Sequence, residues 1–384
     1  MRFEFATAGR VVFGTGAVAG VGTIAAGLGR RALVVTGRHG SAGERVLDLV
    51  GGAGVATSRL IVSGEPTTAT ALDAVAAGRE HGCDVVVAVG GGSVLDTGKA
   101  AAAIIANGGD PLDYLEVVGA GRPLARPSLP VVAVPTTAGT GSEVTRNAVL
   151  VSARDGVKAS LRSHFMLPAV ALVDPDLTLD LPPEITASTG LDALTQLIEP
   201  FVCVRPHPMV DFLCRDGIAR AARSLRRACE DGRDAGARED MCLASLYGGM
   251  ALANAALGAV HGFAAVVGGL FRAPHGAVCA RLLAPAIEVN VRALAERVPG
   301  SPVLVRYDEV GRLLTGRQDA VAADAVAWVD STCQSLRIPA LSAYGLGDAD
   351  VAAVVEKAAA ASSTRGNPIQ LTRDEMEEVL RQAM

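Results

Sequence analysis

The stretch DVVVAVGGGSVLDTGK, Asp84 to Lys99, decides the fold. Its first half, Val85 to Val89, is an unbroken apolar run of mostly β-branched residues. That is the pattern of a strand covered on both faces, and so of a parallel α/β sheet. Its second half turns through Gly90, Gly91 and Gly92 into a helical pattern that runs from Val94 to Ala106. Glycines there let the backbone approach a pyrophosphate, Ser93 is placed to cap the helix, and exposed amides with the helix dipole attract an anion. The spacing of a Walker A loop is absent. The competing reading is a tight turn in which Asp96 merely favours the helix N-terminus.

Around this stretch, further short runs read as strands: Val11 to Phe13, Ala32 to Thr36, Arg59 to Val62, Pro130 to Val134 and Val170 to Val173. Helical patterns such as Thr67 to His81 separate them, giving a mostly parallel α/β domain over residues 1–180. Ligands of such sheets bind beyond the strand C-termini. One loop there, PTTAGTGSE (135–143), offers the hydroxyls of Thr136, Thr137, Thr140 and Ser142 to a ribose, a phosphate or a nicotinamide amide. Ser and Thr also start turns for local reasons. Lys158 is a candidate cationic contact, though a lone Lys is usually a surface residue. The turn Gly14-Thr-Gly16-Ala-Val-Ala19 resembles the G-x-G-x-x-A fingerprint, but the second strand runs into Gly37 and Arg38 where an acidic residue is needed. A plain strand-to-helix turn is preferred.

Three prolines between Asp174 and Pro183 mark the domain boundary. Beyond it, residues 181–384 follow a 3.6 period, with helices expected over 184–202, 208–229, 236–258, 279–297, 303–315, 319–335, 348–361 and 372–383. In GLDALTQLIEP (190–200), Leu191, Leu194, Leu197 and Ile198 form an apolar stripe and set Asp192 and Gln196 one turn apart on another face. His261 and His275, each followed by glycine, can join Asp192 as a facial set of metal ligands with positions left open for substrate. The bland alternative is a solvated helix face.

Composition narrows the classes. A chain of 384 residues with 50% hydrophobic content is long enough for two domains with a large core. A net charge of -5 provides no basic field for nucleic acid. Seven scattered cysteines without a C-x-x-C pair suit reduced thiols, and neither a signal peptide nor a long apolar span is evident, so a soluble cytoplasmic protein is expected. Cys279 lies close to His275 but lacks ligand spacing with any other Cys. His39, His81, His164 and His207 read as surface or capping residues.

Taken together, GGGSVLDTGK (90–99), PTTAGTGSE (135–143), GLDALTQLIEP (190–200), AVHGF (259–263) and APHGAVCARLLAP (273–285) resemble the iron-containing, or group III, alcohol dehydrogenases over essentially the full length. The resemblance implies a dehydroquinate synthase-like architecture: an NAD(P)-binding α/β domain with a parallel sheet, followed by an all-helical domain holding Fe(II) or Zn(II). It implies Asp192, position 196, His261 and His275 as metal ligands, with Asp192, His261 and His275 central to catalysis. Gly37, Gly91, Gly92, Ser93, Thr136, Thr137, Thr140, Ser142 and Lys158 remain the candidate cofactor contacts. The implied reaction interconverts a small alcohol with an aldehyde or ketone, in a homodimer.

Two departures stand out. The family usually has histidine where this chain has Gln196, and the H-x-x-x-H pattern that starts at His261 ends in Ala265. Gln can offer a neutral carbonyl oxygen, a harder and weaker donor than imidazole. A metal-free site like that of the maleylacetate reductases is therefore an alternative. A lyase of the dehydroquinate-synthase type is another, although no phosphate-binding Lys, Arg and Asn cluster stands beside residues 190–200. A nucleotide-binding protein without catalysis is the third. At the end of the second strand, Gly37 followed by Arg38 removes the repulsion that would exclude a 2'-phosphate, so NADP is permitted alongside NAD.

Overall fold

The computed structural model describes residues 2–384 except His39, Ala153, Asp155 and Gly156. The capping role expected of His39 thus lies outside the described residues. The chain forms two compact units, one of residues 6–137 with 141–180 and one of residues 181–384 with 1–5 and 138–140.

The strands of the first unit are β1 (Arg10–Phe13), β2 (Arg31–Gly37), β3 (Ala56–Val62), β4 (Val85–Gly90), β5 (Val131–Pro135), β6 (Asn147–Ser152), β7 (Val157–Arg162) and β8 (Val170–Val173). Six of them form one sheet in the order β1-β8-β5-β4-β2-β3, and every pairing in it is parallel. Its helices are α1 (Val21–Ala26), α2 (Ala42–Gly52), α3 (Thr68–Glu80), α4 (Gly92–Asn107) and α5 (Pro111–Tyr114). All residues of β4, β5 and β8 are buried, as the unbroken apolar runs require. Alternate residues feed two cores. Leu33, Val35, Val86, Ala88, Val131 and Ala133 pack with residues of α3 and α4 in one. Val34, Val85, Val87, Val132 and Val134 pack with Val21, Val46 and Val50 in the other. A Cβ on Gly98 would fall 2.7 Å from the Cβ of Ala88, so glycine there allows α4 to lie close against β4.

An antiparallel hairpin, β6–β7, is present beyond the strands expected from the sequence. It is a two-stranded ribbon outside the parallel sheet, and it buries one face through Ala148, Leu150, Ala159 and Leu161.

The second unit is helical: α6 (Pro183–Val202), α7 (Pro208–Glu230), α8 (Ala235–Asn254), α9 (Ala259–Leu270), α10 (His275–Arg297), α11 (Pro302–Thr315), α12 (Ala322–Ser335), α13 (Val351–Ala360) and α14 (Arg373–Gln382). The eight expected helices are present, with α10 starting four residues early. The helix α9 was not expected, because AVHGFAAVVGGL is rich in glycine and carries no charged face. Packing makes the helix instead: most of its residues are buried, and a Cβ on Gly262 would meet Thr364 Oγ1 at 1.9 Å. Among the described residues no single helix is long and apolar enough to cross a membrane.

His81 matches the capping expectation, with Nδ1 3.0 Å from the Ala77 carbonyl oxygen at the end of α3. His164 is exposed. His207 is buried, which corrects the surface alternative, and its ring stacks on Phe3 at 4.5 Å; the capping alternative holds, with Nε2 3.2 Å from the Asn254 carbonyl oxygen at the end of α8.

Candidate metal and cofactor sites

From Gly190 to Val202 every residue of α6 is buried. The polar pair Asp192 and Gln196 therefore faces protein, not water, and the solvated-face reading is overturned. His261 is the third residue of α9 and His275 the first of α10, so two helix starts deliver the imidazoles. Asp192 Oδ1 lies 3.5 Å from His261 Nε2 and 3.7 Å from His275 Nε2. These separations exceed a formed hydrogen bond.

Asp192 Oδ1, Gln196 Oε1 and His261 Nε2 are all buried without a hydrogen-bond partner. An unpaired buried polar atom is costly, so three on the same candidate ligands call for a shared partner. A divalent cation fits this donor set. Ligand atoms of Asp192, His261, His275 and Cys279 all lie within 4.8 Å of one another. His275 keeps a third of its side chain exposed, which leaves one side of the set open.

Glu199, one further turn along the stripe of Asp192 and Gln196, was not singled out in the sequence. Its Oε2 is 2.6 Å from His261 Nδ1, and its Oε1 accepts from the Val260 amide at 2.8 Å. A carboxylate on Nδ1 fixes the ring so that Nε2 turns toward Asp192. The polar spacing 192, 196, 199 on an otherwise apolar helix was the available signal. Burial disfavours a charge on His261, yet Glu199 and Asp192 outweigh it and raise its pKa to about 10. Burial likewise opposes the charge of Asp192, but His275 and His261 prevail and hold its pKa below the ordinary carboxylate value. The lone pair at Nε2 that takes a proton is the one a cation would take. The start of α9 is capped by Asn367, whose Oδ1 accepts from the Ala259 amide at 3.1 Å.

The first unit carries the cofactor candidates. The chain leaves β2 for the edge strand β3 and returns to β4 on the other side of β2, so the strand order reverses between β2 and β4. Dinucleotides bind outside the C-terminal ends of strands at such a point. Gly37 ends β2, Gly91 is the N-cap residue of α4, and Gly92 and Ser93 open that helix. Ser93 does not cap it, which corrects the sequence reading: the extended Gly91 is the cap residue and makes no side-chain bond. A Cβ on Gly90 would come within 2.6 Å of Val94.

The loop after β5 lies alongside, through the Gly90–Pro135 pairing and a 3.0 Å bond from the Thr136 amide to the Gly90 carbonyl oxygen. Thr137 sits 3.3 Å from where a Cβ of Gly91 would be. Ser142, by contrast, is buried and its hydroxyl donates to Asp96 at 2.5 Å. Lys158 pairs with Glu65 at 2.9 Å. Thr140 belongs with the helical unit. The Gly14–Ala19 turn holds no free phosphate cradle, because the amides of Gly16 and Val18 donate to the Asp174 carboxylate at 3.1 and 3.0 Å. The plain-turn preference agrees with this.

A doubly wound sheet with a glycine-opened helix at its switch point, together with a helical unit of converging Asp and His donors, defines a two-part dinucleotide-dependent metalloenzyme plan. The chain belongs to the iron-containing alcohol dehydrogenase family: residues 8–175 match "Iron-containing alcohol dehydrogenase" and residues 186–384 match "Fe-containing alcohol dehydrogenase family, C-terminal". It is 34% identical over 380 residues to the 1,3-propanediol dehydrogenase of Klebsiella pneumoniae, covering 97% of this chain and 96% of that one. It is 40% identical over 264 residues to the probable alcohol dehydrogenase EutG of Salmonella typhimurium, a match spanning 68% of this chain and 64% of that one. A solved 1,3-propanediol oxidoreductase superposes with a TM-score of 0.92 at 32% identity over 100% of both chains.

Proposed function

We propose that the chain is an NAD(P)-linked alcohol dehydrogenase that interconverts a small alcohol with its aldehyde or ketone, acting in the cytoplasm as a homodimer. The observation that carries this reading is the convergence of Asp192, His261 and His275 around three unpaired buried atoms.

The amides of Gly91, Gly92 and Ser93 at the start of α4 hold the pyrophosphate. Thr136 and Thr137 supply hydroxyls to the cofactor, while Ser142 and Lys158, which have partners within the protein, shape its surroundings. In the helical unit, Asp192 contributes the negative charge, Glu199 orients His261, and His275 stands on the open side. Gln196 adds a neutral amide oxygen. Bound there, Fe(II) or Zn(II) would supply Lewis acidity toward the substrate oxygen. Hydride chemistry belongs to the nicotinamide, and the protein places and polarises. With alanine at 265, the proton leaves by another route than a histidine on α9.

The test combines elemental analysis, a thermal melt with and without EDTA, and NAD(P)H oxidation with short aldehydes. About one equivalent of iron or zinc, a melt lowered by chelation and loss of turnover with the metal are expected, because a ligand bound only to the folded state stabilises it. Metal-free protein with full NAD(P)H-linked turnover would place it with the maleylacetate reductases. Failure to turn over any carbonyl would sink the enzyme reading.

Cofactor choice gives a separate prediction. Gly37 ends β2 and exposed Arg38 follows it. Gly37→Asp should introduce the acceptor for a 2'-hydroxyl and the repulsion of a 2'-phosphate. The ratio of kcat/KM for NADH over NADPH is expected to rise by about tenfold or more, the equivalent of one good charged hydrogen bond. An unchanged ratio would remove this position from cofactor selection.

A further inference from the structure

The helix α10 presents Cys279 one turn after His275, just as α6 presents Gln196 one turn after Asp192. The two helices pack on one another closely enough that a Cβ on Gly276 would meet the Ser188 carbonyl oxygen at 2.2 Å. Each therefore offers an i, i+4 pair to the same place. Cys279 is fully buried, its Sγ lies 3.7 Å from His275 Nε2, and it completes the set whose ligand atoms lie within 4.8 Å of one another. It is the one thiol in such a group among the described residues.

We infer that Cys279 supplies a thiolate ligand to the divalent cation held by Asp192, His261 and His275, and that this Asp-His-His-Cys set selects Zn(II) over Fe(II). The inference rests on the metal-dependent reading above. Two physical arguments support it. With Asp192 as the sole anionic ligand, a divalent cation would leave a net positive charge beside Asp192, Gln196 and His261, each at most 7% exposed, and a thiolate cancels it. Sulfur is also a soft donor that suits zinc, whereas the amide oxygen of Gln196 is neutral and hard. On coordination the thiol proton passes to solvent on the side where His275 is exposed. The third imidazole that the family places at 196, its fourth ligand, is thereby replaced from the opposite helix.

The test loads the protein with Co(II), whose thiolate complexes absorb strongly in the near ultraviolet by charge transfer, and measures Zn(II) and Fe(II) affinity by chelator competition. Wild type is expected to show that band at about one equivalent of Co(II). Cys279→Ser and Cys279→Ala should lose the band, bind Zn(II) at least about tenfold more weakly, and lose more affinity for Zn(II) than for Fe(II). The metal-free melt of each variant checks folding. A wild-type Co(II) complex without the sulfur band, or a variant that keeps it, would overturn the thiolate while leaving the metal site intact. No binding of Co(II), Zn(II) or Fe(II) would overturn both the thiolate and the metal-dependent reading. Were both variants misfolded, the wild-type spectrum alone would decide.

Discussion

Asp192→Asn is expected to lower kcat/KM for carbonyl reduction by about a thousandfold or more and to strip the purified protein of metal. Lewis acidity in such sites contributes several kcal/mol to the barrier, and about 1.4 kcal/mol is a factor of ten. The substitution is nearly isosteric, so packing around a residue only 2% exposed is kept. It removes the negative charge that faces His261 and His275 at 3.5 and 3.7 Å.

Stability separates the functional from the structural interpretation. If Asp192 served only to pair with the two imidazoles, the asparagine variant would melt lower in its metal-free form, because His261 draws part of its raised pKa from Asp192. If its oxygen is kept unpaired for a cation, the metal-free variant should melt close to metal-free wild type, and the difference should appear only after metal is added. Elemental analysis, calorimetry and steady-state kinetics on the same preparations resolve this. Turnover within about tenfold of wild type would mean that the reaction does not depend on the Asp192 charge.

The parts of this molecule that were readable in the sequence are those whose pattern follows from local burial. The strands β4, β5 and β8 announce themselves because both faces are covered, leaving no polar position to blur the run. The hairpin β6–β7 buries only alternate residues, and its signal is correspondingly weaker. The helix α9 is harder still. Its glycines oppose a helix by propensity, and only the contact with Thr364, invisible in the sequence, makes Gly262 necessary. Asp192 and Gln196 can be paired by helical period, but His261 and His275 lie at the starts of different helices, so no period relates them and only their ligand chemistry, later joined by the resemblance, groups them with Asp192. The glycine after each histidine was a usable clue. Both are sites of close approach, at 1.9 Å to Thr364 Oγ1 and 2.2 Å to the Ser188 carbonyl oxygen for an added Cβ. Residue type suggests Ser93 as the cap, but the extended backbone at Gly91 decides where α4 begins.

Lys99 illustrates the same limit and carries the largest expected effect on stability. A lysine closing GGGSVLDTGK invites a phosphate role, yet its side chain is fully buried beneath the loops. Its Nζ donates to the Ser142 carbonyl oxygen at 2.9 Å and to Thr145 Oγ1 at 3.0 Å, and lies 3.2 Å from Asp96 Oδ1. Asp96 in turn accepts from the Ser142 hydroxyl and from the Val149 amide at 2.9 Å. Lys99 thus ties α4 to residues 142–149, which lead from the loop after β5 into the hairpin.

Lys99→Met keeps the volume and removes the cation, leaving Asp96 and Glu143 without it. Breaking a buried pair in this way costs about 3–5 kcal/mol, so a corresponding drop in urea stability is expected. Glu143 adds a pH signature. Burial raises its pKa from the ordinary 4.5 to about 7, against its own backbone amide and the attraction of Lys99. A carboxyl with a raised folded pKa contributes stability that is complete below 4.5 and is lost as pH rises through about 7. Wild type should therefore be less stable at about pH 8 than at about pH 5.5, and Glu143→Gln should flatten that slope. In Lys99→Met the attraction on Glu143 is gone, its pKa moves further up, and the pH-dependent loss extends to higher pH. Urea titrations of the three proteins at both pH values decide the matter. A Lys99→Met variant within about 1 kcal/mol of wild type would show that the ion pair merely breaks even with an apolar side chain. A wild-type slope that survives Glu143→Gln would assign the titration to another group.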